Sequence, residues 1–245
     1  MKVYAFISDL QVPYEDKRAV EAVASWIDEV KPDMVASVGD EIDLPSISRW
    51  EKGLEGEWSR RIGKDRDRTV EVLGMLQVQH VIRSNHTDRL LKSLRTRLPG
   101  LLGLPELELP NFLRFPELGV TYHEKPWPFH KDWLLMHGDE KGVRAQAGGT
   151  AAGLSAKTGQ SVVCGHSHRL GLIPTTESWN GKVHKIRWGF ETGNLMDLKQ
   201  AGYTGGIASW QQGFGIILVD GATTIPIPVP IVNRRFNALG VERKW

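Results

Sequence analysis

Apolar positions along this chain alternate between two periods. Val3–Ser8 is a β-rich run followed by an acidic residue. Val20, Val23, Ile27 and Val30 then recur at helical spacing, until Lys31-Pro32-Asp33 breaks the pattern. Met34–Val38 is a second apolar strand ending at Gly39-Asp40, so the first forty residues predict a β–α–β unit. A polar, Trp-containing loop follows, then a helix carried by Ile62, Arg66, Thr69, Val70, Leu73 and Leu76. The short strand His80–Arg83 runs into Ser84-Asn85-His86. Leu90, Leu91, Leu94 and Leu98 mark one face of a further helix, stopped by Pro99-Gly100.

Residues 99–130 are Pro-rich and irregular, with one short helix expected near 106–115. Trp133–Met136 predicts a strand ending at His137-Gly138, and Ser161–Cys164 another ending at Gly165-His166-Ser167-His168. Between them Gly142–Thr158, rich in Ala and Gly, predicts a helix packed closely on a sheet. Phe214–Val219, Asp220-Gly221 and Thr224–Val232 predict a hairpin with a primed turn. Pro226, Pro228 and Pro230 alternate in its second strand, so their missing N–H groups share one side and that strand belongs at a sheet edge. No repeat and no linker interrupts the pattern, and residues 1–245 are expected to form one domain.

Composition narrows the class. With 245 residues, 40% hydrophobic and 24% charged, wholesale disorder is excluded. No run approaches the ~18 apolar residues that a membrane span needs, and Ser8-Asp9 interrupts the opening apolar stretch too early for a signal peptide. A lone cysteine, Cys164, excludes an internal disulfide framework and a Cys-rich zinc site. The expected location is cytoplasmic. The net charge of +2 does not by itself point to a polyanion. Its distribution is more telling, because residues 60–97 hold ten Lys/Arg against four Asp/Glu. Either two helices carry solvated basic faces, or the stretch forms an electrostatic lip beside a site that handles phosphate.

Five apolar strands end in groups able to bind a ligand: Asp9-Leu10-Gln11, Gly39-Asp40, Asn85-His86, His137-Gly138 and Gly165-His166-Ser167-His168. Ligands of parallel α/β sheets bind beyond the carboxyl ends of strands, so these groups are expected to converge at one edge. A strand-terminal Asp is ordinarily a helix cap and a lone His a satisfied polar group, but five such endings in the same position outweigh those explanations. The ordered set D-x-Q, G-D-x-x-D, N-H-x-D, H-G and G-H-x-H resembles the calcineurin-like metallophosphoesterase family, over about two thirds of the chain. That resemblance implies an α/β fold, a four-layer αββα sandwich of two mixed β-sheets flanked by helices. It also implies two divalent metal ions. Asp9, Gln11, Asp40 and His168 resemble the ligands of one, Asp40, Asn85, His137 and His166 those of the other, and Asp40 would bridge them. His86 resembles the residue that stabilises the phosphoryl group or protonates the leaving oxygen. Asp43 would hold its tautomer; the alternative for Asp43 is a cap on a short helix near Leu44-Pro45. The implied reaction is attack of metal-bound hydroxide on phosphorus.

Two positions depart from the family pattern, Gln11 and Ser84. Gln11 stands where His is usual, and an amide oxygen is a harder donor, so Mn²⁺ is expected before Mg²⁺, Fe²⁺, Ni²⁺ or Zn²⁺. Ser84 replaces a common Gly. Arg83 resembles a phosphate-facing Arg of phosphoprotein phosphatases and is a substrate-binding candidate, yet the second phosphate-binding Arg of those enzymes is Leu44 here. Gly153–Thr158 lacks the Gly-Lys pair of a phosphate loop. His80, His123, His130 and His184 lie outside the motifs, and Cys164 is expected to be a packing residue. Trp50 and Trp58 flank the site loop and could stack on a base. Small size, Gln11 and Trp210-Gln211-Gln212-Gly213-Phe214 are similar to phage-encoded members of the family. The expected substrate is a phosphodiester of a nucleotide or nucleic acid, with no membrane partner. A phosphomonoesterase for a small metabolite or nucleotide is the alternative enzyme, and a catalytically inert protein-binding scaffold the alternative from another class.

Overall fold

Period-two burial along the strands separates the interior into three cores. The computed structural model describes residues 1–48, 52–53, 55–59, 61–200 and 208–245. In chain order its elements are β1 (Lys2–Ile7), α1 (Lys17–Val30), β2 (Met34–Ser37), α2 (Glu55–Ser59), α3 (Ile62–Met75), β3 (His80–Ile82), α4 (Asp88–Arg97) and the single turns α5 (Leu109–Phe112) and α6 (Phe115–Leu118). There follow β4 (Thr121–His123), β5 (Trp127–His130), β6 (Trp133–Leu135), α7 (Gly149–Thr158), β7 (Ser161–Cys164), β8 (Leu170–Trp179), β9 (Lys182–Thr192), β10 (Gly213–Asp220), β11 (Thr223–Pro230), β12 (Arg235–Ala238) and β13 (Val241–Lys244).

One mixed sheet runs β11-β10-β1-β2-β3-β4, the other β5-β6-β7-β9-β8, and β12-β13 is a separate hairpin. On the first sheet Ala5, Ile7, Val35, Val81 and Ile216 face outward to a core shared with Val20, Val23 and Ile27 of α1 and Val72 and Leu73 of α3. Their neighbours Phe6, Ala36, Ile82 and Ile217 face the other way, onto Trp133, Leu135, Val163 and Phe190 of the second sheet. Val162 and Cys164 then turn outward to Ala151 and Leu154 of α7. Alternating side chains therefore stack helices, sheet, sheet and helix, which is the αββα sandwich expected from the motifs. A Cβ on Gly189 would stand 2.2 Å from the Ala152 nitrogen, so only glycine lets α7 lie so near β9.

Three boundaries differ from expectation. The 99–130 segment contains two strands, β4 and β5, too short for period-two alternation to mark them. Its helical content is the turns α5 and α6 together with 3₁₀ turns at Pro99–Leu101 and Pro105–Leu107. The helix expected over 142–158 begins at Gly149. The β10–β11 turn is Gly221-Ala222, since Asp220 pairs with Thr223. Gly221, at φ +56°, supplies the left-handed first position of that turn. The alternating prolines do mark an edge: β11 pairs with β10 and ends the sheet. Among the described residues no helix is long and apolar enough to cross a membrane.

Candidate metal centre at the strand ends

β1, β2 and β3 run parallel in the first sheet, and β6 and β7 in the second. All five deliver their terminal residues to the same edge of the sandwich. Chain geometry there is unusual. Asp9, Gln11, Asp40, His166 and His168 all have φ between 51° and 64°. Such a conformation in a non-glycine residue costs on the order of 1–3 kcal/mol, and it persists where surrounding contacts enforce it. The contacts are visible: Asp9 N–H donates to the Gly39 carbonyl at 3.1 Å, Gln11 N–H to the Asp40 carbonyl at 2.8 Å and Gly165 N–H to the His137 carbonyl at 2.9 Å. Two glycines allow the close approach. A Cβ on Gly39 would stand 2.5 Å from His137 Nδ1, and one on Gly165 would stand 1.8 Å from Ser8 Oγ.

Buried polar side chains from both sheets meet in this space. Asp40, His137 and His166 present ligand atoms within 4.8 Å of one another. His137 Nε2 lies 2.9 Å from Asn85 Oδ1 and 3.4 Å from Asp40 Oδ1. On the other side of Asp40, Gln11 Nε2 is 3.0 Å from its Oδ2 and 3.5 Å from His168 Nε2. His168 Nε2 in turn lies 3.3 Å from Asp9 Oδ1. Asp40 is thus the member shared by the two halves. Asp9 is oriented through its other oxygen, Oδ2, which accepts from Ser8 Oγ and from the His166 N–H.

This donor set fits a divalent cation. His137 Nδ1 donates to the Val38 carbonyl at 2.8 Å, and a carbonyl can only accept, so a neutral His137 turns its Nε2 lone pair toward two oxygens. Lone pairs converging in a buried space repel unless a positive charge lies between them. Burial alone would push the His137 imidazole down, but Asp40 foremost and Asp9 after it lift it to about 10. Burial works against the Asp40 charge as well, and His137 and His86 overcome that to hold Asp40 well below the ordinary carboxylate range. The pocket therefore binds one proton firmly where a metal would bind instead. Asp9 Oδ1, Gln11 Oε1 and His168 Nδ1 are buried without a hydrogen-bond partner. Burial, with His137 beside it, lowers His166, and burial lowers His168. Both imidazoles are thereby kept neutral, as ligands must be.

His86 and Asp43 lie side by side. His86 Nδ1 is 2.7 Å from Asp43 Oδ1, an ion-pair distance without the alignment of a good hydrogen bond, and His86 Nε2 is 3.8 Å from Asp40 Oδ2. The short turn Pro45–Ile47 has Leu44 at its cap with no side-chain cap bond, so capping is not what Asp43 does. Arg89 was legible in the sequence only as one charge of the basic stretch. Its guanidinium donates to the Asp43 carbonyl and to Asp43 Oδ1, and lies 2.9 Å from His86 Nε2. The signal available was its place three residues after His86, at the start of a helix. Arg83 has its guanidinium on Asp88 and on both oxygens of Asp139. Ser84 exchanges hydrogen bonds with Thr87 just before α4, and its Oγ accepts from the Thr87 N–H, a bond that glycine could not supply.

Three further residues bear on the site, of which the sequence singles out only Trp210. Glu41, fully buried beside Asp40, bonds Ser37, and burial raises it to about 7. Glu191 accepts from the Gly148 and Thr150 N–H groups at the start of α7 and from Ser167 Oγ, between His166 and His168. Trp210 stacks on the His168 ring, with centroids 4.1 Å apart. Trp58 is exposed, whereas Trp50 and Arg60 lie outside the described residues.

No family model matches this chain. It is 36% identical over 244 residues to the Gene 54 protein of Mycobacterium phage D29, covering 96% of this chain and 95% of that one. The match to the Gene 54 protein of Mycobacterium phage L5 is 36% over 249 residues, 98% and 96% of the two chains. This chain belongs to the Gene 54 protein family. Among solved structures it is similar to Vps29 of Cryptosporidium parvum, at 13% identity and a TM-score of 0.48 over 99% of this chain and 94% of that one. It is also similar to YfcE, a phosphoesterase from E. coli, at 15% identity and a TM-score of 0.37, covering 92% and 98%. Within the Gene 54 family, therefore, the chemistry has to be read from the strand-end residues themselves.

Proposed function

We propose that this Gene 54 family protein is a metal-dependent phosphoesterase of the calcineurin-like kind, acting on phosphodiester bonds of nucleotides or nucleic acid. The observation that carries the proposal is the convergence of Asp9, Gln11, Asp40, Asn85, His137, His166 and His168 in two halves that share Asp40. Asp9, Gln11, Asp40 and His168 would hold one divalent ion and Asp40, Asn85, His137 and His166 a second, supplying Lewis acidity and an activated water. Gln11 ligates once its amide turns over, which aims the partnerless Oε1 where Nε2 now lies. That oxygen in place of imidazole favours Mn²⁺.

The chain's own residues do the rest. Asp43 faces His86 Nδ1 and would orient the ring so that Nε2 is turned to the leaving oxygen. Arg89 lies against Nε2 in this structure, where its guanidinium would be within reach of a substrate phosphate at the metal centre. Asp88 and Asp139 neutralise Arg83, which favours a structural tie for it over the substrate contact expected from the sequence.

Hydrolysis of bis-p-nitrophenyl phosphate and p-nitrophenyl phosphate, in parallel with Mn²⁺ and with chelator, tests this reading. Chelator-sensitive diester cleavage is expected. Asp40→Asn should lose more than the roughly 10–100-fold that follows loss of an outer-shell partner, with the circular dichroism unchanged. Undiminished turnover in that variant would overturn the reading, and cleavage of the monoester alone would turn it to a phosphomonoesterase.

A further inference from the structure

Beside the metal centre a groove of about 480 Å³ runs along one face of α4. Asn85, one of the candidate ligands, closes its inner end, and Arg89, Lys92, Ser93, Thr96 and Arg97 line it outward. These positions recur at three- and four-residue spacing, so they form a single helix face in which cations and hydroxyls follow one another at each turn. α4 as a whole carries four cations against one anion, Asp88. The cations of α3 are differently placed: Arg66 pairs with Asp67, and Arg68 with Glu15 and Glu71. α4 has ion pairs of its own, Lys92 with Asp88 at 3.5 Å and Arg89 with Asp43 at 3.1 Å, but Arg89, Lys92 and Arg97 also line the groove, which none of the α3 cations does.

The groove's opposite wall is unlike its cationic one. Ile47 and Ser48 form it, at the end of the turn that follows Asp43. At the outer end Arg97 meets Glu57 at 3.8 Å, which brings α2 beside α4, and the next residue, Trp58, is 66% exposed. A ligand lying here would meet positive charge at repeated intervals on one side and the uncharged Ile47 and Ser48 on the other. From Arg89 to Arg97 the helix rises about 12 Å, too long for one phosphate and suited to a short run of them.

We infer that this groove binds a single nucleic-acid strand, seating the phosphates beyond the scissile one on Lys92 and Arg97, with Arg89 at the junction between groove and metal centre. This rests on the phosphoesterase reading of the centre and narrows its substrate from any phosphodiester to an oligonucleotide. Regular spacing of charge matches a backbone with a phosphate at every residue, and Ile47 supplies apolar surface within the groove, with the exposed Trp58 on the neighbouring α2 free to stack on a base beyond its outer end. Mononucleotides and cyclic diesters would leave the outer cations unused.

Because the cations belong to the chain, the groove can be tested without metal. Fluorescence anisotropy of a labelled ten-nucleotide single strand would be measured in EDTA over a salt series, for wild type, Lys92→Ala, Arg97→Ala and Lys2→Ala. Lys2, exposed at the start of β1, lies at the end of the sheet opposite the metal centre and serves as control. Lys92→Ala and Arg97→Ala should each weaken binding about three- to tenfold and lower the salt slope by about 0.7, while Lys2→Ala leaves both unchanged. Equal loss in all three variants, no loss in any, or equally tight binding of inorganic polyphosphate of matched charge would overturn the proposal. Wild-type hydrolysis of bis-p-nitrophenyl phosphate separates the two readings. Strand binding without hydrolysis would sink the phosphoesterase and keep the groove, and hydrolysis without Lys92- and Arg97-dependent binding would do the reverse.

Discussion

Gly39 precedes the shared carboxylate with φ +100°, and the space where its side chain would stand is filled by His137 Nδ1 at 2.5 Å and Ser84 Cβ at 2.7 Å. Neither neighbour can retreat, since His137 is anchored to the Val38 carbonyl and Ser84 to Thr87. Gly39→Ala should therefore destabilise the fold by about 1–3 kcal/mol, read as a lower urea midpoint at constant m-value, and should weaken Mn²⁺ binding by displacing His137. Full stability in that variant would show that His137 is less confined than its contacts imply. At this scale the site was largely legible. Each candidate ligand follows an apolar run within one to four residues, so its place at a strand end is local information. Asp43 was legible with two outcomes, a cap or a partner for His86, and only the positions of β2 and β3 side by side decide for the partner. Arg89 was not legible, because its contacts to Asp43 span 46 residues.

Among the elements, α7 shows how a helix start can serve the site. It begins at Gly149 with no side-chain cap from its own Gly148, and a fully buried carboxylate from β9 takes that place. Glu191 accepts from the N–H groups of Gly148 and Thr150, favoured by the positive end of the helix, and holds Ser167 through the same pair of oxygens. Glu191→Ala would leave those donors buried and unpaired, a loss of about 3 kcal/mol. It should also loosen His166 and His168, so that thermal unfolding and metal titration move together. Stability lost with metal affinity unchanged would confine Glu191 to capping. No motif marks this role, since a Glu near the end of a strand looks like any surface carboxylate until the sheets are stacked. The edge position of β11 was fully legible, because three prolines at alternate positions remove donors from one side whatever the rest of the chain does. β4 and β5 were not: three or four residues hold too few alternations to separate a strand from an irregular loop.

For the whole molecule, the candidate centre lies where the two sheets meet at their carboxyl edge. Asp9, Gln11, Asp40 and Asn85 come from the first sheet and His137, His166 and His168 from the second, so a bound ion would link the two halves of the sandwich. A ligand that binds only the folded state adds about 2.7 kcal/mol at a hundred times its dissociation constant. In a chain of this size that corresponds to a rise of roughly 5–10 °C in Tm. Saturating Mn²⁺ should produce such a rise, EDTA should reverse it, and Asp40→Asn should abolish it. A rise that survives in Asp40→Asn would place the ion elsewhere.

Sequence by itself determined the five strands that end in ligand-capable residues, and that the Pro-alternating β11 lies at a sheet edge. These follow from periodicity, proline geometry and the residue types beside each run, all of them short-range. Only the tertiary structure decided which strand ends face one another, that Asp40 is common to both halves, that Glu191 caps a helix far from it in sequence, and that the α4 cations rather than those of α3 line a groove into the site. Each of these depends on distances across sheets and layers, which chain spacing does not encode.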